Sequence, residues 1–418
     1  MAEGDKINGD SVAKRVNGEG GIYYRKADDR WCAALTLPSP DGRARRVTRT
    51  AKTERGAKAK LLELKRELIA NGDIQTSVLS VETWVRKWLN EIVASEVRPK
   101  TVASYRTTVE QYIIPAIGSK QLKKLTADNV RECIKYVTDK GLSSRSAALT
   151  YQVLSLALKS AHREGKASSN VADMVNRPRT KKATLTVLTA TDGIKVLETV
   201  ASDRLASRWA AALLTGARQG ELIGLEWDRV DFLRGYVDLS WQLQRISWEH
   251  GCGGTCERIR GTDCPSRKLT APADWEHRHA LGGLWWSRPK SSAGWRVIPL
   301  VEPLLSIIER RHEASVLEPN PYGLAWTQPN GRPLDPSRDN AAWHAALKLA
   351  GVPDARLHDA RHTTASLLGR AGVPIETITK ILGHSTYAMS REYMDVDLGQ
   401  LTDALTKMSA LMPLGAAE

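Results

Sequence analysis

The sequence lacks three features that would place the chain in a membrane or outside the cell. No uninterrupted apolar run approaches the roughly 18 residues that a membrane-spanning helix needs. The polar, charged amino terminus does not resemble a secretory signal. The five cysteines are odd in number and show no framework spacing across the chain, which disfavours a secreted domain held by disulfides. We therefore expect a soluble cytoplasmic protein with no membrane partner.

Positive charge is what the chain has in excess. It carries 61 lysines and arginines against 47 acidic residues, for a net charge of +14 and an isoelectric point near 9.6. This excess favours a polyanionic partner such as nucleic acid, through steering and counterion release. A basic protein that is merely soluble has the same composition. The length of 418 residues predicts two or three domains.

The amino-terminal part predicts a small sheet backed by a helix. Residues 1–19 are polar and glycine-rich, which predicts a flexible terminus. Short strand patterns fill residues 20–50, and a helix is expected from about Thr53 to Ala70. The face of the last strand either lies in a DNA major groove or is a solvated basic surface. That face is predicted to carry Arg43, Arg45, Val47 and Arg49.

Four helical patterns follow, and they predict a compact bundle over residues 78–172. Thr101 is the predicted cap of the second helix, which Pro115 and Gly118 are expected to end. Thr126 is the predicted cap of the third helix. A basic linker at residues 177–182 leads to the largest domain, in which helices and hairpins alternate over residues 183–418.

A cluster near the carboxyl terminus carries the most informative chemistry. His358 and Arg361 are three residues apart and share one helix face, and His384 and Tyr393 follow. A guanidinium, imidazoles and a phenol around one phosphate are suited to attack on a phosphodiester by a protein nucleophile. Paired carboxylates that would hold catalytic metal ions are missing there. Tyr387 is the competing nucleophile.

Two upstream segments add charge to this cluster. Arg218 lies between two glycines, and Glu221 follows at a spacing that lets its carboxylate hold the guanidinium. Residues 288–299 predict a β-hairpin with Lys290 at the turn, where an ammonium can donate a proton. Trp285 and Trp286 are placed in its first strand and Val297 in its second. Taken singly, each side chain is better explained as a surface cation, a structural histidine or a packing tyrosine.

In combination and in this order, these residues resemble the catalytic set of the tyrosine recombinases, the phage integrase family. The set consists of Arg218, Lys290, His358, Arg361, His384 and Tyr393. The resemblance implies a mainly helical α+β chain of three domains. Residues 20–72 would form an arm-type DNA-binding domain of a small β-sheet and a helix. Residues 78–172 would form a helical core-binding domain, and residues 183–418 a mixed α/β catalytic domain with a tail helix.

The resemblance also implies the reaction and the partners. Tyr393 would attack a DNA phosphate to give a 3′-phosphotyrosyl link, and Lys290 would protonate the leaving 5′-oxygen, with no cofactor required for catalysis. The implied partners are double-stranded attachment-site DNA, a homotetramer on that DNA, and a directionality factor and a DNA-bending host protein as accessories. The implied setting is the nucleoid of a bacterial host cell. The alternatives are a type IB-like topoisomerase and a non-catalytic DNA-binding regulator.

An apparent insertion precedes Lys290, and the tail carries a second unassigned pattern. Three cysteines and one histidine are enough for a structural tetrahedral zinc site, and reduced loop cysteines without metal are the alternative. The tail stripe either packs on its own domain or docks on a neighbouring subunit, as the family's tails do. The candidate ligands in the insertion at residues 250–279 are His250, Cys252, Cys256, Cys264, His277 and His279. The stripe consists of Leu401, Leu405, Met408 and Met412.

Overall fold

The computed structural model describes residues 20–37, 45–71, 79–181, 186–289, 294–383 and 398–412. These residues fall into two compact units. One unit is drawn from residues 1–88 and 107–179, and the other from residues 89–106 and 180–418. The elements confirm the predicted α+β class, with helices in the majority and small antiparallel sheets. Across the described ranges, no helix is long and apolar enough to cross a lipid bilayer.

A three-stranded antiparallel sheet opens the described chain, as predicted. Its strands β1 (Gly21–Arg25), β2 (Arg30–Leu37) and β3 (Arg45–Ala51) pair in sequence order, and α1 (Glu54–Asn71) follows them. The register sets Leu35 opposite Val47, and these side chains form a buried cluster with Leu64 of α1. The helix therefore covers the face of the sheet on which these residues lie.

The predicted arginine face of β3 is this covered face. Arg49 lies two residues from the buried Val47 and so points to the same side, where its guanidinium pairs with Glu67 of α1 at 2.6 Å. For Val47 and Arg49 the expectation of a face open to a groove or to solvent is wrong, because α1 covers Val47 and pairs with Arg49; Arg43 lies outside the described residues. On the opposite side, Arg46 lies over the ring of Tyr23 at 5.1 Å.

Helices make up residues 81–163. Thr126 is the residue before α6, as predicted, and its backbone N–H and its hydroxyl donate to the side-chain oxygen of Asn129 at 3.1 and 3.3 Å. Thr101 is not a cap but lies inside α4, because Pro99 begins that helix with a backbone angle already set for it. Pro115 does not end the helix but lies in the first turn of α5, where its missing N–H costs little. The helices are α2 (Val81–Lys87), α3 (Ala94–Glu96), α4 (Pro99–Thr108), α5 (Ile114–Ile117), α6 (Ala127–Asp139) and α7 (Ser144–Arg163), with π-helical turns at Trp88–Val93 and Val109–Ile113.

The second unit is built on one large apolar core. Trp209 and Trp343 lie in this core with ring centroids 5.5 Å apart. The helices are α8 (Ala190–Thr199), α9 (Ala206–Thr215), α10 (Gln219–Ile223), α11 (Leu304–Ser315), α12 (Pro336–Ala350), α13 (Leu357–Arg370), α14 (Ile375–Leu382) and α15 (Leu398–Ser409). Two antiparallel sheets have the orders β4 (Val230–Asp231), β5 (Tyr236–Asp238), β9 (Val297–Pro299) and β6 (Gln242–Arg245), β8 (Leu284–Ser287), β7 (His277–Leu281).

The hairpin predicted for residues 288–299 is wrong. Trp286 lies in β8, whereas Val297 lies in β9 and pairs with Asp238 of the other sheet. The chain therefore passes from one sheet to the other between these strands. The true hairpin joins β7 to β8 and turns at Gly282, whose φ of 58° is readily adopted only by glycine. Lys290 lies outside the described residues.

The tail helix α15 packs on its own domain. Its apolar stripe joins the large core, and α15 contacts α9, α13, α14 and β9. Of the two interpretations of this stripe, packing within the domain is the one that the structure shows. The four stripe residues are at most 3% exposed: Leu401, Leu405, Met408 and Met412.

Candidate active site

Arg218 lies at the sharp bend between α9 and α10. Gly216 ends α9 in the left-handed region, with φ of 60°, and Arg218 is the residue before α10. The Nη1 of Arg218 donates to Oε1 of Glu221 at 2.7 Å, and its backbone N–H donates to Oε2 at 2.7 Å. The structure thus contains the arginine–glutamate contact that the spacing predicts, and the Arg218 side chain remains 34% exposed.

Glu221 is a buried carboxylate shared by two arginines. Its side chain is 1% exposed, and it also accepts from Nη1 and Nη2 of Arg296 at 3.0 and 2.8 Å. Burial alone would raise the pKa of Glu221, but Arg296 and then Arg218 outweigh it and hold the pKa below its usual range. Sequence reasoning missed Arg296, which lies just before β9. The one signal that could have indicated Arg296 is that a buried carboxylate such as Glu221 needs charged partners.

The carboxyl-terminal end of α14 accepts hydrogen bonds from three arginines. The last carbonyls of a helix have no partners within the helix and carry partial negative charge, so cations are stabilised there. Three guanidinium groups from separate parts of the chain consequently meet at one point. Ile381 accepts from Arg296 at 2.8 Å, Leu382 accepts from Arg361, and Gly383 accepts from Arg218 at 2.7 Å.

Arg361 is the most deeply buried cation of the predicted set. Its side chain on α13 is 3% exposed, and its Nη1 donates to the carbonyl of Gly216 at 2.9 Å. Burial, followed by repulsion from Arg218 and Arg296, lowers the pKa of Arg361 to about 9. The guanidinium is therefore still charged at neutral pH, and an anion placed beside it would relieve the crowding of positive charge.

His358 lies one turn before Arg361 on α13. Its ring is exposed, and it meets the ring of His362 edge to face at 5.5 Å. Partial desolvation, followed by the charges of Arg361 and His362, lowers the pKa of His358 below its ordinary value of about 6.5. The imidazole is thus mainly neutral at pH 7, which is the state in which it accepts a proton.

Half of the predicted catalytic set is therefore found at one place. Arg218, His358 and Arg361 lie close enough together for the charges of both arginines to act on the histidine. Two guanidinium groups beside a neutral imidazole suit a phosphodiester, because planar forks can bind its nonbridging oxygens. The other candidates fall outside the described residues: Lys290, His384, Tyr387 and Tyr393.

The six candidate metal ligands of the insertion separate into two groups in the structure. Four of them cluster: His250, Cys252, Cys256 and Cys264. His277 instead stacks on Trp275 at 4.3 Å, and its Nδ1 lies 2.7 Å from the carbonyl of that tryptophan. His279 has its Nε2 3.0 Å from the carbonyl of Gly282. His277 and His279 are therefore packing residues of a tryptophan-rich sheet.

Comparisons with known proteins agree with this geometry. The model of the phage integrase family matches residues 273–399, and the model of the phage integrase N-terminal SAM-like domain matches residues 80–138. An integrase of Saccharopolyspora erythraea is 29% identical, over 92% of this chain and 94% of that protein.

Two solved structures share the fold. A lambda integrase dimer bound to a COC′ core site aligns with a TM-score of 0.53 at 16% identity, over 97% of this chain and 98% of that one. The Tn1549 transposon integrase in complex with transposon right end DNA aligns with a TM-score of 0.59 at 18% identity, over 77% of this chain and 99% of that one. These two structures share the fold alone, whereas the two family models and the integrase relative show that the chain carries phage integrase family domains and has homologues among the tyrosine recombinases, whose members cleave and rejoin DNA.

Proposed function

We propose that this recombinase integrates a phage or integrative element by cutting attachment-site DNA through a 3′-phosphotyrosyl intermediate. The observation that carries the proposal is the arrangement of Arg218 and Arg361. Both guanidinium groups bind carbonyls at the end of α14, immediately before the segment that contains His384 and Tyr393. A phosphate held by these arginines would thus lie beside the start of the segment that carries the nucleophile.

In the proposed cleavage step, the Tyr393 oxygen bonds to phosphorus while the bond from phosphorus to the 5′-oxygen breaks. A free phenol has a pKa of about 10, so its proton must be removed, and neutral His358 is suited to accept it. Lys290 gives a proton to the departing 5′-oxygen. Arg218 and Arg361 bind the nonbridging oxygens and stabilise the added negative charge of the transition state.

His384 adds a hydrogen bond to a nonbridging oxygen in this proposal. The rejoining step is the reverse reaction, in which a 5′-hydroxyl of the second DNA attacks phosphorus and Tyr393 regains its proton. The phosphodiester energy is kept in the covalent link, so neither ATP nor a catalytic metal ion enters the balance. The cysteine and histidine cluster of the insertion lies outside the catalytic set, and a metal ion held there would be structural.

The proposed assembly is a homotetramer on two double-stranded attachment sites, in the bacterial cytoplasm. Lambda integrase has been solved as a tetramer bound to a Holliday junction, which supports this arrangement by analogy. We assign residues 20–72 to arm-type DNA, residues 78–172 to core-site DNA and residues 183–418 to catalysis. A directionality factor and a DNA-bending host protein are the proposed accessory partners.

Trapping on nicked suicide DNA tests the chemistry. Wild-type protein should form a covalent adduct with the 3′ end of the cut strand, and Tyr393→Phe should form none. Tyr387→Phe is the matched control, because it removes the neighbouring phenol and should leave the adduct. An undiminished adduct with Tyr393→Phe would contradict the assignment of the nucleophile.

Plasmid assays separate the proposal from the two competing functions. Two plasmid-borne copies of the element's junction sequences should recombine with wild-type protein. A topoisomerase would relax supercoiled plasmids that lack these sequences and would not recombine them, whereas a regulator would bind DNA without any adduct. Site-independent relaxation without recombination would therefore contradict the integrase assignment.

A further inference from the structure

One loop of the second unit gathers four soft metal ligands, none of which belongs to the candidate catalytic set. The ligand atoms of His250, Cys252, Cys256 and Cys264 all lie within 4.8 Å of one another. The Nδ1 of His250 is 3.3 Å from the sulfur of Cys256 and 3.9 Å from that of Cys252. Zinc–sulfur and zinc–nitrogen bonds of ~2.3 and ~2.0 Å in a tetrahedron separate nitrogen and sulfur by about 3.5 Å. The measured separations lie on either side of this value.

The loop backbone is shaped around the sulfur atoms. Gly253 and Gly254 have φ values of 65° and 93°, so the chain turns tightly between Cys252 and Cys256. The hydroxyl of Thr255 donates to the carbonyl of Cys252 at 2.8 Å, and the N–H of Arg267 donates to the carbonyl of Cys264 at 3.1 Å. The turns at Cys252 and Cys264 are therefore each closed by a local hydrogen bond.

The same loop has no apolar core of its own. Among residues 251–266, all of which the structure describes, Cys264 is the only buried residue, and Ile259 is 98% exposed. Segments that bury so little apolar surface usually need a covalent or metal link to hold one conformation. A disulfide within the loop would use two of the three cysteines and leave the third without a partner.

We propose that His250, Cys252, Cys256 and Cys264 bind one Zn²⁺ ion, which fixes the loop. Three thiolates and an imidazole favour zinc over the hard cations Mg²⁺ and Ca²⁺. Because protein atoms fill all four tetrahedral positions, the site is structural and leaves no position open for a substrate. The proposal does not depend on the recombinase chemistry.

The loop lies next to a contact between Glu249 and Arg106 that its conformation can influence. Directly before it, Glu249 pairs with Lys268 through two backbone hydrogen bonds of 2.9 Å. The Glu249 carboxylate accepts from Arg106 at 3.2 Å and from Thr270 at 2.9 Å. The ion would thus close the loop directly after the β-bridge between Glu249 and Lys268. The Glu249 carboxylate of this bridge binds Arg106 of α4.

Metal analysis of the full chain tests the site. Protein desalted into metal-free buffer should contain about one zinc ion per chain, as measured by inductively coupled plasma mass spectrometry. Cys252→Ser and Cys256→Ser should each lose most of it, whereas His279→Gln, a histidine of the adjoining sheet, should keep it. Tyr393→Phe should also keep the metal, which separates failure of this site from failure of the proposed reaction. Folded wild-type protein without zinc, or full zinc in Cys256→Ser, would overturn the proposal.

Cobalt substitution and proteolysis keep the test decisive if a serine variant does not fold. Wild-type protein loaded with Co²⁺ should show sulfur-to-cobalt charge transfer and tetrahedral ligand-field bands, and His250→Cys should retain the ion with a shifted spectrum. Trypsin should cut after Arg258 and Arg260 at least about tenfold faster once the metal is chelated. Absent cobalt bands, or cleavage that is indifferent to chelation, would refute a metal-fixed loop.

Discussion

The candidate active site and the cysteine loop hold their functional groups by opposite means. The arginine site is assembled over long range, with a hydrogen bond between residues 165 positions apart, and one carboxylate and several carbonyls accept hydrogen bonds from its arginines. The loop is local, and the three thiols and the imidazole within residues 250–264 lie close together with no buried carboxylate or apolar cluster beside them among those residues. The difference teaches that the arginine site depends on the global fold, whereas the loop depends on what binds in it.

Removing the shared carboxylate should break the arginine site most severely. We expect Glu221→Ala to lower the free energy of unfolding by about 3–5 kcal/mol, because a buried ion pair loses one partner. Urea denaturation measures this loss. Glu82→Ala is the matched control, because Glu82 pairs with Arg86 on an exposed helix face and should contribute about 0.5 kcal/mol. A loss for Glu221→Ala as small as that of the control would show that the arginines do not need the carboxylate.

The next largest effect should fall on activity rather than stability. We expect Arg218→Ala to slow single-turnover adduct formation about 100- to 1000-fold, which is the usual effect of losing one donor to a transition state. Its side chain is one-third exposed, so the fold should survive. Arg218→Lys keeps the charge but lacks the planar fork, so its rate should lie between those of wild type and Arg218→Ala. A lysine variant as fast as wild type would reduce the role of Arg218 to charge alone.

A smaller effect should come from the bend that places Arg218. A Cβ at Gly216 would lie 2.5 Å from Leu382 and 3.1 Å from Thr364, in a left-handed conformation. We expect Gly216→Ala to cost about 1–3 kcal/mol in thermal or urea unfolding. Gly372→Ala is the control, because Gly372 has φ of 74° with nothing within 4 Å of its Cβ position. Equal losses in both variants would mean that close packing at Gly216 contributes nothing.

The smallest expected effect is a pH dependence of stability. Because the folded protein lowers the pKa of His358, the unfolded chain binds more protons as the pH falls below about 6.5. The free energy of unfolding should therefore decrease on acidification in that window and be unaffected by this group above it. Comparing melting temperatures of wild type and His358→Gln between pH 5 and 8 measures the difference. Parallel curves would show that the fold does not perturb this histidine.

Much of the candidate active site could be predicted because its signals are local. The contact of Arg218 with Glu221 follows from their spacing, and the shared face of His358 and Arg361 follows from theirs. Arg296 could not be found, because only the tertiary fold brings it to Glu221 across 75 positions. The hairpin error has the same origin, since strand pairing between distant segments leaves little trace in local periodicity.

The arginine stripe and the cysteine loop show a further boundary. Alternation correctly placed Val47 and Arg49 on one face of β3, but it could not say whether that face meets α1 or solvent. The composition of the insertion predicted a zinc site of three cysteines and one histidine. The insertion contains three histidines, and the sequence alone does not say which of them is the ligand. Only the fold separates His250 from the other two, because His277 and His279 are held against tryptophan rings.

The meeting of three arginines with the end of α14 has a consequence for the safety of DNA cutting. The hydrogen bond from Arg218 fixes the position of the chain at Gly383. The burial of Leu401 in the core fixes it again within α15. A DNA end bonded to Tyr393 would stay within about 36 Å of Gly383, because the ten residues between these positions can span no more than that. The 3′ end of the cut strand would then stay bonded to the folded protein until the 5′-hydroxyl of another strand replaces Tyr393.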